Sequence, residues 1–234
     1  MIIPAYNEAV RIENTLRSLQ EYFSNQSYKV ELFIVDDGSF DDTVKLSSKF
    51  KDGILKLKIL KNECNKGKGY SIKRGVMEAE GKIICFMDAD YKITINEIEK
   101  IIPYFSQGYE VVIGSRALHG STIKIAQPFH RRLGGKLMHI IVRGSVSLNN
   151  IQDTQCGFKF FSKKAALEIF RKQKIDGYMF DVEILCIAQK LGYKIKEVPI
   201  EWMNDPDSRL KLLRDSTRSV FDLWRIRKSL SGNF

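Results

Sequence analysis

The first half of the chain alternates apolar runs with amphipathic segments. Residues 1–4 end an apolar run, and Ile12, Leu16, Leu19 and Phe23 then recur at every third or fourth position. This spacing places the four side chains on one face of a helix. The pattern therefore predicts a strand followed by an amphipathic helix at the start of the chain.

Four more strands are predicted before residue 115. Residues 30–35 and 82–87 are mainly apolar, which suits strands that are covered on both faces. Apolar side chains alternate with lysines at 55–59, so this strand is half-exposed and lies near an edge of the sheet, and a further strand is predicted at 109–114. Helical segments separate these strands, which predicts a mostly parallel α/β sheet flanked by helices, of the nucleotide-binding, Rossmann-like type.

The alternation of strands and helices becomes less regular after residue 115. A helix is predicted near 129–148, a short strand at 158–161, helices at 163–172 and 180–191, and a strand at 194–200. Neither an internal repeat nor an obvious linker divides the chain, so we expect a single domain.

Acidic residues recur where the predicted strands end. Asp88 and Asp90 follow the run at 82–87, Asp36 and Asp37 follow the strand at 30–35, and Glu8 follows the strand at 1–4. Ligands of α/β sheets bind beyond the carboxyl ends of the strands. Two carboxylates one residue apart can share Mg²⁺ or Mn²⁺, with water and phosphate oxygens as the other ligands. An isolated Asp-x-Asp is as readily a polar turn, and it is the recurrence of acids that favours a site for a metal and a nucleotide diphosphate.

The net charge of +10 indicates an anionic partner: a nucleotide, a phosphorylated lipid, an anionic membrane surface or a nucleic acid. Nucleic acid is disfavoured because the basic residues neither interleave with exposed aromatic residues nor form a known reader motif. The four cysteines lack a Cys-x-x-Cys pair, so neither a zinc site nor a disulfide framework is indicated.

The location of the protein is predicted from what the sequence lacks and from its last segment. There is neither a run of about 18 apolar residues nor an N-terminal signal segment, so we expect a cytoplasmic protein. The final segment reads as a basic amphipathic helix, with one basic face (Lys211, Arg214, Arg218 and Arg225) and one apolar face (Leu210, Leu213, Val220 and Trp224). It either packs its apolar stripe on the domain or lies on an anionic membrane surface, and the two are compatible if the basic face alone meets the lipid.

Four short motifs of the first half stand in a characteristic order. They are residues 3–8 (IPAYNE), 35–39 (VDDGS), 65–69 (NKGKG) and 88–90 (DAD). In order and spacing they resemble the motifs of the inverting family-2 glycosyltransferases, which have the GT-A fold. The resemblance implies a nucleotide-sugar-binding half at 1–115, an acceptor-side half at 116–205 and the basic amphipathic helix at 206–234.

Motifs of the second half narrow the resemblance to synthases of polyprenyl-phosphate sugars. They are residues 114–116 (GSR), 153–159 (DTQCGFK) and 180–183 (FDVE), together with Trp202 and Arg209. The DTQCGFK string is most similar to that of dolichyl-phosphate β-glucosyltransferases. Mannosyl relatives usually carry a metal-binding Gln two residues after the second aspartate, where this chain has Lys92. The resemblance thus favours the glucosyl branch and leaves a third metal ligand unassigned.

The resemblance also implies roles for individual residues. The donor-binding residues are Pro4, Tyr6, Glu8, Asp36, Asp37, Lys66, Lys68, Asp88, Ala89 and Asp90. Among them, the Asp37 carboxylate accepts a hydrogen bond from the nucleobase, and Asp88 and Asp90 hold the metal and the sugar diphosphate. The acceptor phosphate is assigned to Arg116, Arg131, Arg132 and Arg209, because guanidinium groups bind phosphate oxygens bidentately. The arginines at 131 and 132 lie in a stretch that matches the relatives poorly.

The candidate catalytic residues are Asp90, Arg116 and Asp181. Asp181 occupies the position where relatives with hydroxyl acceptors keep a general base. A lipid phosphate is already an anion and needs no base, so we expect Asp181 to be structural or to support the metal.

The resemblance therefore implies transfer of a hexose, glucose from UDP-glucose, to a polyprenyl or dolichyl phosphate with inversion and with help from Mg²⁺ or Mn²⁺. The protein would act peripherally on the cytosolic face of a membrane. Two alternatives stay open: the same chemistry with GDP-mannose, and a non-catalytic protein that binds a nucleotide sugar or a lipid phosphate.

Overall fold

The computed structural model describes residues 1–51, 56–123, 144, 146, 148, 150–203 and 212–231, except for the side chains of 123, 212–218 and 231. The elements of the first half are β1 (Ile2–Ala5), α1 (Ile12–Ser24), β2 (Glu31–Asp36), α2 (Thr43–Ser48), β3 (Lys56–Lys61), α3 (Lys68–Glu78), β4 (Ile83–Met87), α4 (Ile98–Ile101), α5 (Pro103–Ser106) and β5 (Val111–Ser115). The later elements are β6 (Thr122–Ile123), β7 (Phe158–Ser162), α6 (Lys163–Lys172), α7 (Phe180–Lys190), β8 (Ile195–Pro199), β9 (Glu201–Trp202) and α8 (Leu212–Ser231).

Seven strands form one sheet in the order β3-β2-β1-β4-β7-β5-β8. The neighbouring pairs are parallel except for those of β7, which runs antiparallel to both β4 and β5. The mostly parallel α/β sheet predicted from the sequence is confirmed. The lysine-rich strand β3 lies at one end of the order, as its half-exposed pattern indicated.

The core has two layers, one on each face of the sheet, because neighbouring residues of a strand point to opposite faces. In β1, Ile2 packs with α3, α6 and α7, whereas Ile3 packs with α1 and the segment at 95–105. Both side chains are wholly buried. Helices therefore cover both faces, and the carboxyl ends of the parallel strands are left to form a site.

The predicted helix between β4 and β5 is broken. Its pieces are a 3-10 turn at Ile95–Glu97, then α4, then α5, which begins at Pro103. Proline lacks the backbone N–H that an uninterrupted helix needs, so it occupies the first position of a new helical turn. The helix predicted near 129–148 falls mainly on residues that the structure does not describe.

Of the two alternatives for the last helix, packing of the predicted apolar face on the domain is contradicted where the structure describes it. Val220 and Trp224 are more than half exposed, whereas Leu223 and Ile226 are buried and belong to the core beside α7. Asp222 is also on the buried side. The buried face could not be recognised from the sequence because it combines apolar with polar side chains. No helix within the described residues is both long and apolar enough to cross a bilayer.

Candidate active site

The loops that follow β1 and β2 are clipped together. Asn7, which has a positive φ of 56°, donates its backbone N–H to Ser39 Oγ at 2.8 Å and accepts from the backbone N–H of Phe40 at 3.0 Å. The rings of Tyr6 and Phe40 meet edge to face with centroids 6.0 Å apart, and both are exposed. Pro4 lies in β1 opposite Val35. The first motif is thus held against the second at the sheet edge.

Asp37 fixes the glycine-rich loop in place. Its carboxylate accepts from the backbone N–H groups of Lys66 at 3.0 Å and Gly67 at 2.8 Å, and from Asn62 Nδ2 at 2.7 Å. The residue is almost fully buried. A carboxylate has about four acceptor positions, so one is left after these three bonds. A hydrogen bond from a nucleobase to Asp37 stays a prediction. The contacts present show that Asp37 positions the glycine-rich loop.

Two further acids that the sequence predicts to bind the donor are also engaged. Asp36 accepts from the backbone N–H of Ser39 with both oxygens at 3.3 Å, and Glu8 accepts from Arg11 Nε at 2.7 Å. Beside them is a cleft of about 550 Å³ at the carboxyl ends of β2 and β3. It is lined by Asp36, Gly38, Ser39, Asp41, Val44, Lys45, Lys61, Asn62 and Glu63.

The two glycines of the NKGKG motif allow a close approach of its loop to the segment before α7. Gly67 has a φ of 110°, and a Cβ there would lie 2.4 Å from the carbonyl oxygen of Asp176. Gly69 donates its N–H to the same oxygen at 2.7 Å. The donor-side loop is thereby docked on the second half of the chain. Lys66, which follows Asn65, is exposed with its ammonium 4.8 Å from the Tyr70 ring centroid.

Each aspartate of the DAD motif has a lysine partner. Lys68 Nζ lies 2.6 Å from Asp88 Oδ1, and Lys92 Nζ lies 2.5 Å from Asp90 Oδ2. Ala89, between the two acids, is held from α1, because its carbonyl oxygen accepts from Thr15 Oγ1 at 2.8 Å. Asp88 and Asp90 are therefore both paired with ammonium groups. One of these partners, Lys92, was noted in the sequence only as a departure from the mannosyl relatives.

The charges of this cluster act on one another. Burial raises the pKa of Asp90, and the neighbouring carboxylate of Asp88 raises it further, while Lys92 and Lys68 oppose the rise. Burial lowers the pKa of Lys68, but the attraction of Asp88 and Asp181 outweighs it, so the net shift is upward. The cluster therefore stabilises positive charge.

Gly157 of the DTQCGFK string supplies the surface on which Asp88 rests. A Cβ at this position would lie 2.2 Å from Asp88 Oδ2 and 2.4 Å from Asp88 Cγ. The backbone N–H of Asp88 also donates to the Gly157 carbonyl oxygen at 3.2 Å. Only glycine leaves the Asp88 carboxylate where it is, and this contact between β4 and the turn into β7 could not be deduced from the sequence.

A buried ion pair lies directly behind the cluster. Lys159, the second residue of β7, is completely buried, and its ammonium donates to Asp181 Oδ1 at 2.5 Å and to the Cys156 carbonyl oxygen at 2.6 Å. Asp181 is 3% exposed. Burial raises the pKa of Asp181, while Lys159 and Lys68 oppose the rise. Sequence reasoning did not assign Lys159 a role, although a lysine inside an apolar strand is itself a signal of a buried partner.

Arg116 is held by a carboxylate that sequence reasoning also missed. Its Nε lies 2.7 Å from Asp153 Oδ2, its Nη2 lies 2.8 Å from Asp153 Oδ1, and its guanidinium stands 5.7 Å from the Trp202 ring centroid. Glu197 accepts from the backbone N–H of Asp153 at 2.8 Å. Burial raises the pKa of Asp153, but Arg116 outweighs it and the net shift is downward. The remaining guanidinium donors are those that a phosphate could use.

Three of the predicted phosphate ligands cannot be placed, since Arg131, Arg132 and Arg209 lie outside the described residues. The residues at the DAD motif fit a divalent cation. Their oxygen donors suit Mg²⁺ or Mn²⁺, and the mutual repulsion of the two carboxylates is now relieved by lysines. Among the described residues no cluster of three or more metal-ligating side chains occurs, so further ligands would come from substrate and water.

Comparison with known proteins now decides the family. The family model described as Glycosyl transferase family 2 matches residues 1–170 of this chain. The chain belongs to glycosyl transferase family 2. This membership confirms the resemblance that the four donor motifs indicated.

Three curated relatives of this family 2 glycosyltransferase share one description. The dolichyl-phosphate beta-glucosyltransferase of Dictyostelium discoideum is 35% identical over 97% of this chain and 73% of its own length. That of Saccharomyces cerevisiae is 33% identical over the same shares, and the enzyme ALG5D of Trichomonas vaginalis is 32% identical over 96% of this chain and 71% of its own. These relatives confirm the narrower resemblance to the glucosyl branch and the prediction of a hexosyltransferase.

Solved structures confirm the GT-A-like fold. Glucosyl-3-phosphoglycerate synthase of Mycobacterium tuberculosis is similar with a TM-score of 0.70 and 19% identity, over 97% of this chain and 78% of that one. The same enzyme with Mn²⁺ and UDP-glucose gives a TM-score of 0.70 at 18% identity, over 97% and 77%. At these identities the likeness concerns the fold of the glycosyltransferase.

Proposed function

We propose that this glycosyltransferase moves glucose from UDP-glucose to the phosphate of a dolichyl or related polyprenyl phosphate, with inversion, at the cytosolic face of a membrane. Its relatives carry the name of this reaction. The structural observation that carries the proposal is the Lys159–Asp181 pair, because it discriminates between kinds of acceptor. Asp181, which the resemblance puts at the position of a general base, is buried and bound to an ammonium.

An acceptor phosphate needs no such base. A phosphate monoester carries between one and two negative charges near neutral pH, so its oxygen attacks the anomeric carbon without giving up a proton. The new bond joins that carbon to the phosphate oxygen. The bond to the nucleotide diphosphate breaks, and its electron pair leaves with the diphosphate. Attack opposite to the leaving group inverts an α-linked donor to a β-linked product.

The protein's part is then to position the reactants and to neutralise charge. Lys68 lies at the Asp88 carboxylate, and Lys66 is exposed on the same loop, so both can reach the leaving diphosphate. A divalent cation held by Asp88 and Asp90 supplies further charge to the leaving group when bound. Arg116, Arg131, Arg132 and Arg209 are proposed to receive the acceptor phosphate, with Arg116 oriented by Asp153.

The test is transfer of radiolabel from UDP-glucose and, in parallel, from GDP-mannose. Each donor is offered dolichyl phosphate and a short-chain, water-soluble polyprenyl phosphate with Mg²⁺ or Mn²⁺. The blank is Asp90→Asn, and the matched control is Asp42→Asn, whose side chain is 65% exposed beside Lys45. We expect label in the lipid from UDP-glucose, loss in the blank and full activity in the control.

Other outcomes overturn the proposal in distinct ways. Label from GDP-mannose alone assigns the enzyme to the mannosyl reaction. Binding of UDP-glucose without transfer to either acceptor assigns it to the non-catalytic alternative.

A further inference from the structure

The outer face of α8 carries large apolar side chains that nothing in the described chain covers. Val220, Phe221 and Trp224 are 53%, 58% and 56% exposed, while Leu223 and Ile226 on the opposite face are buried. Exposed aromatic residues that lie side by side mark an interaction surface more often than chance placement does. The helix therefore has an inner face that is satisfied by the core and an outer face that is not.

One cationic side chain lies near each of the rings of Phe221 and Trp224. Phe221 and Trp224 stack with centroids 5.9 Å apart and planes 27° apart. The Arg225 guanidinium stands 6.0 Å from the Phe221 centroid, and the Lys228 ammonium stands 5.3 Å from the Trp224 centroid. We call Val220, Phe221, Trp224, Arg225 and Lys228 the aromatic–basic patch. Aromatic rings flanked by basic side chains are typical of helices that lie in the headgroup region of an anionic bilayer.

The patch lies toward the end of α7 that carries Asp181. Trp224 and Arg225 line a groove of about 370 Å³ together with Glu183, in the first turn of α7. Further along, Lys190 Nζ donates to the Leu230 carbonyl oxygen at 2.6 Å, in the last turn of α7. Lys228 and Ser229 line the same groove, and Lys174, which precedes α7, donates to Ser229 Oγ at 3.4 Å. Three residues of the patch therefore lie beside the first turn of α7, which carries Asp181.

Charge discriminates between the possible occupants of this surface. The chain has a net charge of +10, and the patch presents Lys228 together with Arg225, whose Nη1 lies 3.5 Å from Asp222 Oδ1. A second copy of the chain meeting the same surface would place like charges together, which is unfavourable. An anionic headgroup layer complements both the rings and the cations.

We propose that the aromatic–basic patch is the surface by which this protein rests on an anionic phospholipid bilayer. It orients the end of α7 that bears Asp181 toward the membrane. The orientation rests on the proposed function, in which the acceptor phosphate is presented by a membrane lipid. The binding itself does not depend on that function and is tested separately.

The binding test uses vesicles of phosphatidylcholine with and without phosphatidylserine, at low ionic strength. Cosedimentation measures binding, and tryptophan emission reports insertion. The chain has two tryptophans, and Trp202 is 6% exposed, so a blue shift on adding vesicles comes from Trp224. We expect the full chain to bind vesicles that contain phosphatidylserine, with a blue shift that brominated lipids quench.

Variants separate the aromatic from the electrostatic contribution. The pair Phe221→Ser and Trp224→Ser is expected to weaken binding at least roughly tenfold, because apolar burial is lost. Lys228→Glu is expected to weaken binding to phosphatidylserine vesicles with little effect on phosphatidylcholine alone. The matched control is Met77→Ser, on α3, whose side chain is 38% exposed and lies outside the patch. Circular dichroism checks that each variant is folded.

The outcomes that overturn the proposal are also distinct. Wild-type protein that ignores anionic vesicles, or a folded double variant that binds them as well as wild type, rejects the patch as a membrane surface. A change from dimer to monomer in the double variant, with vesicle binding unaltered, makes it an interface between copies.

The proposed function can fail independently of this inference. With both correct, the double variant loses transfer to dolichyl phosphate in vesicles but keeps transfer to the short-chain acceptor in detergent. Equal transfer in vesicles by wild type and the double variant rejects the orienting role. Vesicle binding without transfer to either acceptor rejects the proposed function and leaves the membrane surface standing.

Discussion

At the scale of single residues, Lys92 is the clearest departure from the pattern of mannosyl relatives. Its ammonium lies 2.5 Å from Asp90 Oδ2, where it competes with any divalent cation for that carboxylate. We expect Lys92→Gln to bind Mn²⁺ about tenfold more tightly in the presence of UDP, since a charge-assisted contact no longer has to be displaced. Electron paramagnetic resonance of free Mn²⁺ measures this without turnover.

The matched control for Lys92 is Lys100→Gln. Lys100 pairs with a different acid, Glu97 at 2.8 Å, and is half exposed. Equal Mn²⁺ affinity in wild type and Lys92→Gln would show that displacing the Lys92 ammonium from Asp90 does not reduce the free energy of metal binding.

Gly157 permits a second test of a single residue. In Gly157→Ala the new methyl group collides with the Asp88 carboxylate, which must rotate away. Because displacement of a catalytic group by about 1 Å can cost about a hundredfold in rate, we expect a loss of that order in kcat with a small change in Tm. Gly81→Ala is the control, since the nearest atom to a Cβ there is 3.3 Å away. Unchanged kcat in Gly157→Ala would mean that the Asp88 position is not critical.

At the scale of elements, the buried ion pair joins β7 to α7. We expect Asp181→Asn to lower the free energy of unfolding by about 3 kcal/mol, because it leaves the buried Lys159 ammonium without its counter-ion. The double variant Lys159→Met, Asp181→Leu should recover much of that loss, since apolar replacement of a buried pair is often neutral. Denaturant unfolding of the wild type, Asp181→Asn and the double variant measures these differences in free energy of unfolding.

The pH dependence of activity tests separately whether Asp181 acts as a general base. With no general base at Asp181, the folded Asp181→Asn enzyme should keep the shape of the wild-type rate profile. Loss of an ionisation from that profile would show that Asp181 acts as a base.

The Arg116–Asp153 pair, between β5 and the turn before β7, makes stability depend on pH. The pKa of Asp153 is lower in the folded chain than in the unfolded one, so the pair stabilises fully above about pH 4 and its contribution is lost as pH falls through the folded pKa. We expect Asp153→Asn to be less stable than wild type by about 3 kcal/mol at neutral pH. Thermal unfolding at neutral pH and at acidic pH should show the two proteins converging on the acid side. A constant difference would contradict this assignment.

Elements were predicted from the sequence far better than the contacts between them. The periodicity of Ile12, Leu16 and Leu19 reports burial against a neighbouring surface, and it was sufficient to place α1. The strand order was not accessible, because the antiparallel β7 contains nothing that specifies its neighbours. The outward orientation of Trp224 was equally hidden, since an aromatic side chain is normally buried and only the packing on α7 decides otherwise.

The same division applies to the candidate site. The acids at Asp88 and Asp90 could be predicted, because strand exits are where an α/β sheet binds ligands. Their lysine partners and the Asp153 carboxylate could not, since each pair depends on how side chains from separate loops meet in space. The family resemblance drew attention to the DTQCGFK string but not to what its residues contact. In the structure Gly157, Lys159 and Asp153 contact Asp88, Asp181 and Arg116, respectively.

At the scale of the whole molecule, the two halves predicted from the sequence share one sheet. β7 and β8 come from the second half and complete the order begun by the first. We expect a fragment of residues 1–115 to aggregate or stay unfolded, because β4 and β5 would lack the strand between them and expose unpaired edges. Its circular dichroism and solubility, compared with those of the full chain, test this. A soluble, cooperatively folding fragment would show the first half to be an independent domain.

The position of β7 also bears on how the protein is made. Its partners β4 and β5 end at Met87 and Ser115, whereas β7 begins only at Phe158. A ribosome synthesises the N-terminal strands first, and their central gap stays open until more than 40 further residues have been added, since β7 begins 43 positions after β5 ends. During that interval two apolar strand edges are available to other nascent chains. Slow translation through this stretch should therefore increase the need for chaperones.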